Sequence, residues 1–293
     1  SALFYFGNAD RVSVRDATFH HCGGFAVQTG EGDGRIFENI RFDRCFADGI
    51  HLNGNLTRVH CRNIRGEVGD DLVALNACDW RNSSVNYGPM RFVLCEDLTL
   101  TGGYPATRIL PAKYRFDDGS TVDCSIRDVI FRRVKGIDQF KLYLQTPTYE
   151  IGGPREWAEP GSGGNILFED IEIRLGKAFE TPVGDPVRGH YAPFHLGANL
   201  TGVTLRNLKV KIAAGFDPAF GHLVAVGPKS WTRTFDGKAC EIFDPYVSCR
   251  VSGLTIDGLS VDGGRIPNLV HEVVFDDING DGSSSGRGTV VSQ

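Results

Sequence analysis

Long apolar runs and an excess of basic residues are both missing from this 293-residue chain. No stretch approaches the roughly 18 consecutive apolar residues of a membrane-spanning helix, so we expect no membrane partner. Lys and Arg number 31 against 36 Asp and Glu, and the formal net charge of −5 argues against a general nucleic-acid-binding protein. No signal peptide is visible, and the strand-like start, SALFYFGNADRVSV, is typical of a chain whose N-terminal sequence is missing.

Metal-binding and disulfide patterns are missing as well. Eight cysteines are too few for a dense disulfide scaffold in a chain of this length, and none stands in Cys-x-x-Cys or zinc-type Cys/His spacing. Several recur among apolar residues, which favours reduced, buried thiols: Cys22, Cys45, Cys61, Cys78 and Cys95. No glycine-rich phosphate loop is present either, so the sequence predicts neither a cofactor nor a metal.

The chain does contain an internal repeat of about 23 residues. Three strand-like segments align without gaps: GGFAVQTG (23–30), DGIHLNGN (48–55) and DLVALNAC (71–78). The alignment makes Gly23, Asp48 and Asp71 equivalent, and it puts side-chain amides in register as a ladder at Gln28, Asn53 and Asn76. Short strands of this kind cannot bury a face alone, but stacked copies bury one continuous core.

A second strand pattern precedes each of these segments: RVSVRDATF, RIFENIRF and TRVHCRNI. An Asn or Asp near its middle is typical of a corner between strands. Together the two patterns predict an all-β fold, a parallel β-helix of about ten coils in a single domain over 1–293, with a flexible polar tail at 281–293. A β-sandwich is the second choice, but its strands would not keep this register.

Longer segments rich in Gly, Pro and aromatic residues interrupt the coils at 79–90, 111–120, 146–163, 176–193 and 228–246. We expect them to be loops beside one groove, where solenoids often build a binding cleft.

Three carboxylates fall at the start of two neighbouring repeats. Asp48 and Asp71 occupy the same place on coils that are roughly 4.8 Å apart, and Asp70 directly precedes Asp71. We expect all three on the solvent side of the stack, in a shared pocket. Crowded carboxylates raise at least one pKa, which provides a proton donor beside an ionised base, and this is the chemistry of glycoside hydrolysis.

These residues resemble the paired motifs of the polygalacturonases, glycoside hydrolase family 28. Asp48-Gly49-Ile50 matches the second half of the family's Asn-Thr-Asp-Gly, and Gly69-Asp70-Asp71 matches its Gly/Gln-Asp-Asp. The resemblance implies a right-handed parallel β-helix, inverting hydrolysis of pectin and a secreted or periplasmic location. It also implies that Asp70 is the general acid and that Asp71 and Asp48 hold the attacking water.

The next two coils depart from the family's Gly-His-Gly and Arg-Ile-Lys motifs. They offer Arg108 in YPATRILP (104–111), and Lys141 with Tyr143 in QFKLYLQ (139–145). Positive groups there suit a substrate carboxylate or hydroxyls. His51, which we expect to face outward, and Trp80, at the start of the first long loop, complete the predicted carbohydrate-binding residues; weaker stacking candidates are Tyr87, Tyr104 and Trp157.

Three functions remain open at this point. An inverting, metal-free hydrolase predicts carboxyl groups roughly 6.5–9.5 Å apart. A polysaccharide lyase or epimerase would use a calcium ion held by the acids, with Arg108 or Lys141 as base. A non-catalytic β-helical adhesin or tail-fibre protein would bind glycans without turnover. The sequence predicts no oligomeric state.

Overall fold

The computed structural model describes residues 2–79, 83–116, 118–143, 158–176, 192–217, 221–227, 230–235, 238–243, 248–275 and 286–291. These residues form β-strands joined by turns, and none of them lies in an α-helix. Accordingly, no helix in this part of the chain is long and apolar enough to cross a membrane.

The first sheet consists of nine short parallel strands. Their order in the sheet follows their order in the chain: β1 (Ala2–Phe6), β3 (Phe25–Thr29), β5 (Ile50–Asn53), β7 (Val73–Asn76), β9 (Ala106–Ile109), β13 (Gln139–Tyr143), β16 (Phe194–Gly197), β18 (Val224–Val226) and β22 (Val270–Glu272).

The second sheet has ten strands, and most are much longer. Nine run parallel: β2 (Val12–His20), β4 (Gly32–Cys45), β6 (Leu56–Val68), β8 (Met90–Gly103), β12 (Ile126–Lys135), β15 (Ser162–Leu175), β17 (Asn199–Ile212), β21 (Cys249–Asp262) and β24 (Gly286–Val291). The short β23 (Val274–Phe275) pairs antiparallel with β24 at the edge.

The chain visits the two sheets in turn, so each passage adds one strand to each sheet. This order of strands, with parallel pairing throughout the long ladders, is consistent with the predicted parallel β-helix. The prediction of an all-β fold with long parallel sheets is confirmed. Residues Gly286–Val291 fall in the segment expected to be a flexible tail, yet they form β24 and pair with β21.

Residues with a left-handed backbone conformation (positive φ) bend the long strands at the same place in successive coils. One such row contains Asp16, Asn39, Asn63, Asp97, Arg133, Asp170, Asn207 and Gly258, all with φ between 52° and 74°. Asn and Asp tolerate this conformation better than most residues. Amides also link the coils, because Asn63 Nδ2 donates to Asn39 Oδ1 at 2.8 Å and Asn39 Nδ2 to Asp16 Oδ1 at 2.9 Å. The predicted Asn/Asp corner is confirmed.

Apolar side chains stack inside the coils in register. One row of the second sheet consists of Phe37, Cys61, Cys95, Phe131, Phe168 and Leu205. All of them belong to one buried cluster that extends along the stack from Phe19 to Ile266. Seven of the eight cysteines are buried thiols that form no disulfide, and they include the five for which the sequence predicted this state.

The nearly buried carboxylate of Glu96 links three successive coils by hydrogen bonds on the outer surface of the second sheet. The Glu96 side chain is 7% exposed and lies 2.8 Å from His60 Nε2, 2.8 Å from Arg132 Nε and 2.6 Å from Arg133 Nη2. Burial raises the pKa of Glu96, but the hydrogen bonds from its three partners outweigh this effect and hold the pKa at about 2. The carboxylate is therefore ionised at neutral pH.

Three of the predicted loops, 111–120, 146–163 and 228–246, contain strands of their own. In the 111–120 region, β10 (Ala112–Arg115) pairs antiparallel with β11 (Thr121–Cys124) and with β14 (Ala158–Pro160). In the 228–246 region, β19 (Ser230–Phe235) and β20 (Lys238–Phe243) form an antiparallel hairpin.

Candidate active site

The register of the first sheet determines which side chains meet at the site. Val27 pairs with Ile50 and Ile50 with Val73, so Asp48 and Asp71 are equivalent, as predicted. The predicted alignment of the first coil with the second is wrong by two residues, because Gln28 lies opposite His51 rather than Asn53. Phe25, and not Gly23, therefore lies beside Asp48.

The three carboxylates do cluster. Asp48, Asp70 and Asp71 each offer an oxygen that lies within 4.8 Å of the other two. The backbone N–H of Asp71 also donates to Asp48 Oδ1 at 3.0 Å, which ties the starts of β5 and β7 together. Stacking of equivalent turns thus brings the residues together, as the repeat predicted.

The expectation that all three acids lie on the solvent side is wrong. The side chains of Asp48 and Asp71 are 1% and 0% exposed, whereas that of Asp70 is 33% exposed. Burial raises the pKa of both Asp48 and Asp71, and repulsion between the carboxylates adds to this effect, while Arg108 opposes it. The set therefore retains a proton at pH values where solvated aspartates have lost theirs.

Arg108 is the cation of the cluster. Its Nη1 lies 2.9 Å from Asp70 Oδ1 and 3.4 Å from Asp71 Oδ2. Burial lowers the pKa of Arg108, but the charges of Asp71 and Asp70 outweigh this and raise it, so the guanidinium stays charged. Lys141 is the register neighbour of Arg108 on the next coil, and its Nζ donates to the hydroxyl of Tyr104 at 2.5 Å.

Most of the predicted carbohydrate-binding residues are more buried than expected. Lys141 is 5% exposed and Tyr143 is 3% exposed, whereas Arg108, at 21%, and the weaker candidates Tyr87 and Tyr104 are partly exposed. Tyr143 packs against His195 with ring centroids 5.1 Å apart, and burial raises its pKa. Trp80 and Trp157 lie outside the described residues.

His51 does not face outward as expected, because its side chain is only 2% exposed. Its Nδ1 lies 2.5 Å from Asp48 Oδ2, and its ring stacks on Phe25 with centroids 4.1 Å apart. Burial disfavours the imidazolium and lowers the pKa of His51 to about 4, although the charge of Asp79 acts in the opposite direction. The imidazole is therefore neutral at neutral pH.

The sequence did not single out two members of this buried network. Asp79 Oδ2 accepts a hydrogen bond from Asn76 Nδ2 at 3.1 Å and lies 3.5 Å from His51 Nε2. Phe25 was assigned to the wrong row. The signal for Asp79 was its place three residues after Asn76, at the end of the repeat.

One oxygen from each of the three aspartates lies within 4.8 Å of the other two. This distance joins single oxygens and not whole carboxyl groups, so the separation of roughly 6.5–9.5 Å expected of an inverting pair stays a prediction. No family model, no curated protein and no solved structure matches the chain.

Proposed function

We propose that the protein is a glycoside hydrolase that cleaves a poly- or oligosaccharide by acid/base catalysis at Asp48, Asp70 and Asp71. The observation that carries the proposal is the clustering of three carboxylate oxygens within 4.8 Å, beside a charged arginine. Three acids so close together share protons, and glycosidic cleavage needs one carboxyl that donates a proton beside one that accepts it.

The exposure of the three side chains supports a division of roles. Asp70 is the carboxylate of the set that solvent reaches, so it is the group placed to meet the glycosidic oxygen. Asp71 has one buried oxygen, Oδ1, without a hydrogen-bond partner in the described part of the chain, and an unsatisfied buried acceptor of this kind favours a proton or a bound water beside it. These roles agree with the resemblance to polygalacturonases, which makes Asp70 the acid and Asp71 with Asp48 the base.

The chemistry of the surrounding cations favours a saccharide that carries carboxylates or many hydroxyls. Arg108 is partly exposed, and Lys141 and Tyr104 lie beside it, with Lys141 Nζ located 5.0 Å from the Tyr104 ring centroid. A guanidinium binds a carboxylate in two-point fashion. Uronate-containing polymers such as pectin are therefore the first substrates to test. This proposal includes a right-handed β-helix of the polygalacturonase type as the fold of the protein.

The test compares wild type with Asp70→Asn on a panel of uronate and neutral glycans, following the release of reducing ends. Asp123→Asn is the matched control, because Asp123 is an exposed carboxylate on the 112–124 hairpin. We expect Asp70→Asn to lose about 10²–10⁴-fold in kcat and the control to lose nothing. Full turnover by Asp70→Asn would refute the proposal, and so would glycan binding without turnover by wild type.

Product stereochemistry tests the mechanism separately. NMR of the first-formed reducing ends shows the inverted anomer if cleavage is a single displacement, as in the family that the chain resembles. A retained anomer would instead indicate a double displacement, in which the two carboxyl groups are only about 5–5.5 Å apart.

A calcium-dependent polysaccharide lyase is the second candidate, and the same oxygen cluster favours it. Three carboxylate oxygens within 4.8 Å of one another can ligate one hard cation, with Arg108 as the neighbouring base. An unsaturated product that absorbs in the ultraviolet, together with loss of activity on chelation, would select the lyase over the hydrolase.

A further inference from the structure

The buried imidazole of His51 lies at the end of a directed chain of hydrogen bonds. This series of hydrogen bonds begins at the backbone carbonyl of Ser83, which accepts from Gln28 Nε2 at 2.7 Å. Gln28 Nε2 also donates to Asn53 Oδ1 at 2.9 Å. A backbone carbonyl is always an acceptor, so this contact fixes which end of the Gln28 amide carries the hydrogens.

A second backbone group fixes the orientation of Asn53 in the same sense. The N–H of Val85 donates to Asn53 Oδ1 at 3.4 Å, and this oxygen therefore receives two donors. The other end of the amide, Nδ2, must then point to His51, and it lies 3.3 Å from Nε2. An amide nitrogen is only a donor, so the Nε2 that faces it is an acceptor and carries no proton.

The proton of a neutral imidazole whose Nε2 is an acceptor is on Nδ1. That nitrogen lies 2.5 Å from Asp48 Oδ2, so His51 donates to Asp48. The other oxygen of Asp48 accepts from the Asp71 N–H at 3.0 Å. Two donors aimed at one carboxyl group favour its ionised form, and they act against the burial that raises the pKa of Asp48.

We propose that His51 is a positioning residue: its Nδ1–H holds the Asp48 carboxylate, and the Asn53 amide fixes the tautomer in which it does so. Asp48 is then the base among the three acids, since a carboxylate has about four acceptor sites and two of them remain for a water. The tautomer stands on the hydrogen bonds alone, whereas the catalytic consequence rests on the proposed hydrolase function.

One acceptor acts against this assignment. Asp79 Oδ2 lies 3.5 Å from His51 Nε2, and the Ser83 carbonyl also faces the ring. Asp79 favours a proton on Nε2, whereas Asn76 Nδ2 lies 3.3 Å from Nδ1 and 3.4 Å from Nε2 and so does not distinguish the two tautomers. Asp79 Oδ2, however, already accepts from Asn76 Nδ2 at the shorter distance of 3.1 Å. The other charged groups that act on the Asp48–His51 pair are Asp70 and Arg108.

The tautomer is measured directly by long-range ¹H–¹⁵N correlation NMR on protein labelled at histidine, with the His51 signals assigned from their loss in His51→Asn. We expect the Nδ1–H form in wild type. Asn53→Asp replaces the donor that faces Nε2 by an acceptor of the same shape, so we expect the proton to move to Nε2. Asn63→Asp is the matched control, because Asn63 lies at a left-handed turn of the second sheet and not beside His51, and we expect it to leave the signals unchanged. An Nε2–H form in wild type, or no response to Asn53→Asp, would overturn the proposal.

Kinetics on the active glycan test the positioning role. The side-chain amide introduced by His51→Asn can place an N–H near the former Nδ1, so we expect this variant to retain most of kcat. His51→Leu offers no donor, and we expect it to lose about 10²-fold in kcat with little change in KM, because His51 is buried away from substrate. Loss of the donor also moves the acidic limb of the kcat profile to higher pH. Equal kcat in the two variants would refute positioning, even where the NMR result holds. An Nδ1–H signal in a protein without glycosidase activity would leave the tautomer standing and remove only the hydrolase.

Discussion

Replacing Asp71 by Asn should make the protein more stable at neutral pH, although it removes a proposed catalytic group. The Asp71 side chain is fully buried, with oxygens of Asp48 and Asp70 within 4.8 Å and Arg108 Nη1 at 3.4 Å. Two repulsions of at least about 3.5 kcal/mol each oppose one attraction of about 5 kcal/mol, at an effective dielectric constant of about 20. With all three carboxylates ionised, this charge balance favours the variant by about 2 kcal/mol in the free energy of unfolding, and the burial of Asp71, the largest cause of its raised pKa, acts in the same direction.

The gain should depend on pH in one direction. The folded-state pKa of Asp71 is raised, so the protonated carboxyl contributes fully below the unfolded pKa of about 3.9, and this contribution is lost as pH rises through the folded pKa. The amide that replaces this carboxyl in the variant does not titrate. Wild type and variant should therefore be equally stable near pH 4 and diverge towards neutral pH, with the variant more stable.

Urea unfolding followed by circular dichroism at several pH values measures both effects. The midpoint of the variant should exceed that of wild type at neutral pH by an amount that shrinks on acidification. Asp123→Asn, at an exposed position on the hairpin, should leave the midpoint unchanged. A variant that is less stable at neutral pH, or a gain that is independent of pH, would show that Arg108 neutralises the cluster and that the electrostatic reasoning is wrong.

Three further predictions concern the scaffold. Glu96→Gln should lower the free energy of unfolding by about 2–3 kcal/mol, and wild type itself should lose this contribution as pH falls from about 4.5 towards the folded pKa of about 2, which acid titration of stability checks. Asn63→Ala should cost about 1–2 kcal/mol in urea unfolding, and Asn63→Gly distinctly less, because only the former strains the left-handed backbone. Gly103→Ala should prevent folding or cost more than about 3 kcal/mol, since an added Cβ would lie 1.8 Å from the Val68 carbonyl oxygen. Gly215→Ala, with a similar positive φ but nothing within 4 Å of the added Cβ, should cost only about 1 kcal/mol.

The alternation of strands was predictable because the repeat encodes it directly. Inward apolar residues such as Ile50 and Val73 recur at one spacing, and an Asn such as Asn39 or Asn63 marks each corner, so composition and period both indicate stacked coils. The equivalence of Asp48 and Asp71 followed from the same spacing. The first coil was misaligned because Phe25 and Val27 are both apolar, and the pattern of one short strand does not distinguish a shift of two residues.

The burial of the site was not predictable from the same pattern. A strand position that points away from the core appears exposed in sequence, and His51 was assigned to solvent for this reason. In the structure, the segment from Ser83 to Val85 lies over that face. The Ser83 carbonyl accepts a hydrogen bond from the Gln28 side chain, and the Val85 N–H donates one to the Asn53 side chain. Contacts of this kind join residues far apart in the chain and leave no periodic trace.

The hydrogen bonds that set the spacing between coils do not pass through the long excursions. The chain between register partners is short from β3 to β7 and long beyond β13, yet the parallel ladder continues through both parts. An excursion beyond β13 can therefore be lengthened or exchanged while the distances among the carboxylates and Arg108 persist, whereas the 79–90 segment is tied to the site through Ser83 and Val85. For the proposed glycosidase, the carboxylate cluster and the excursions beyond β13 are separable parts, and an excursion transplanted from another solenoid is a route to new glycan specificity on the same reactive centre.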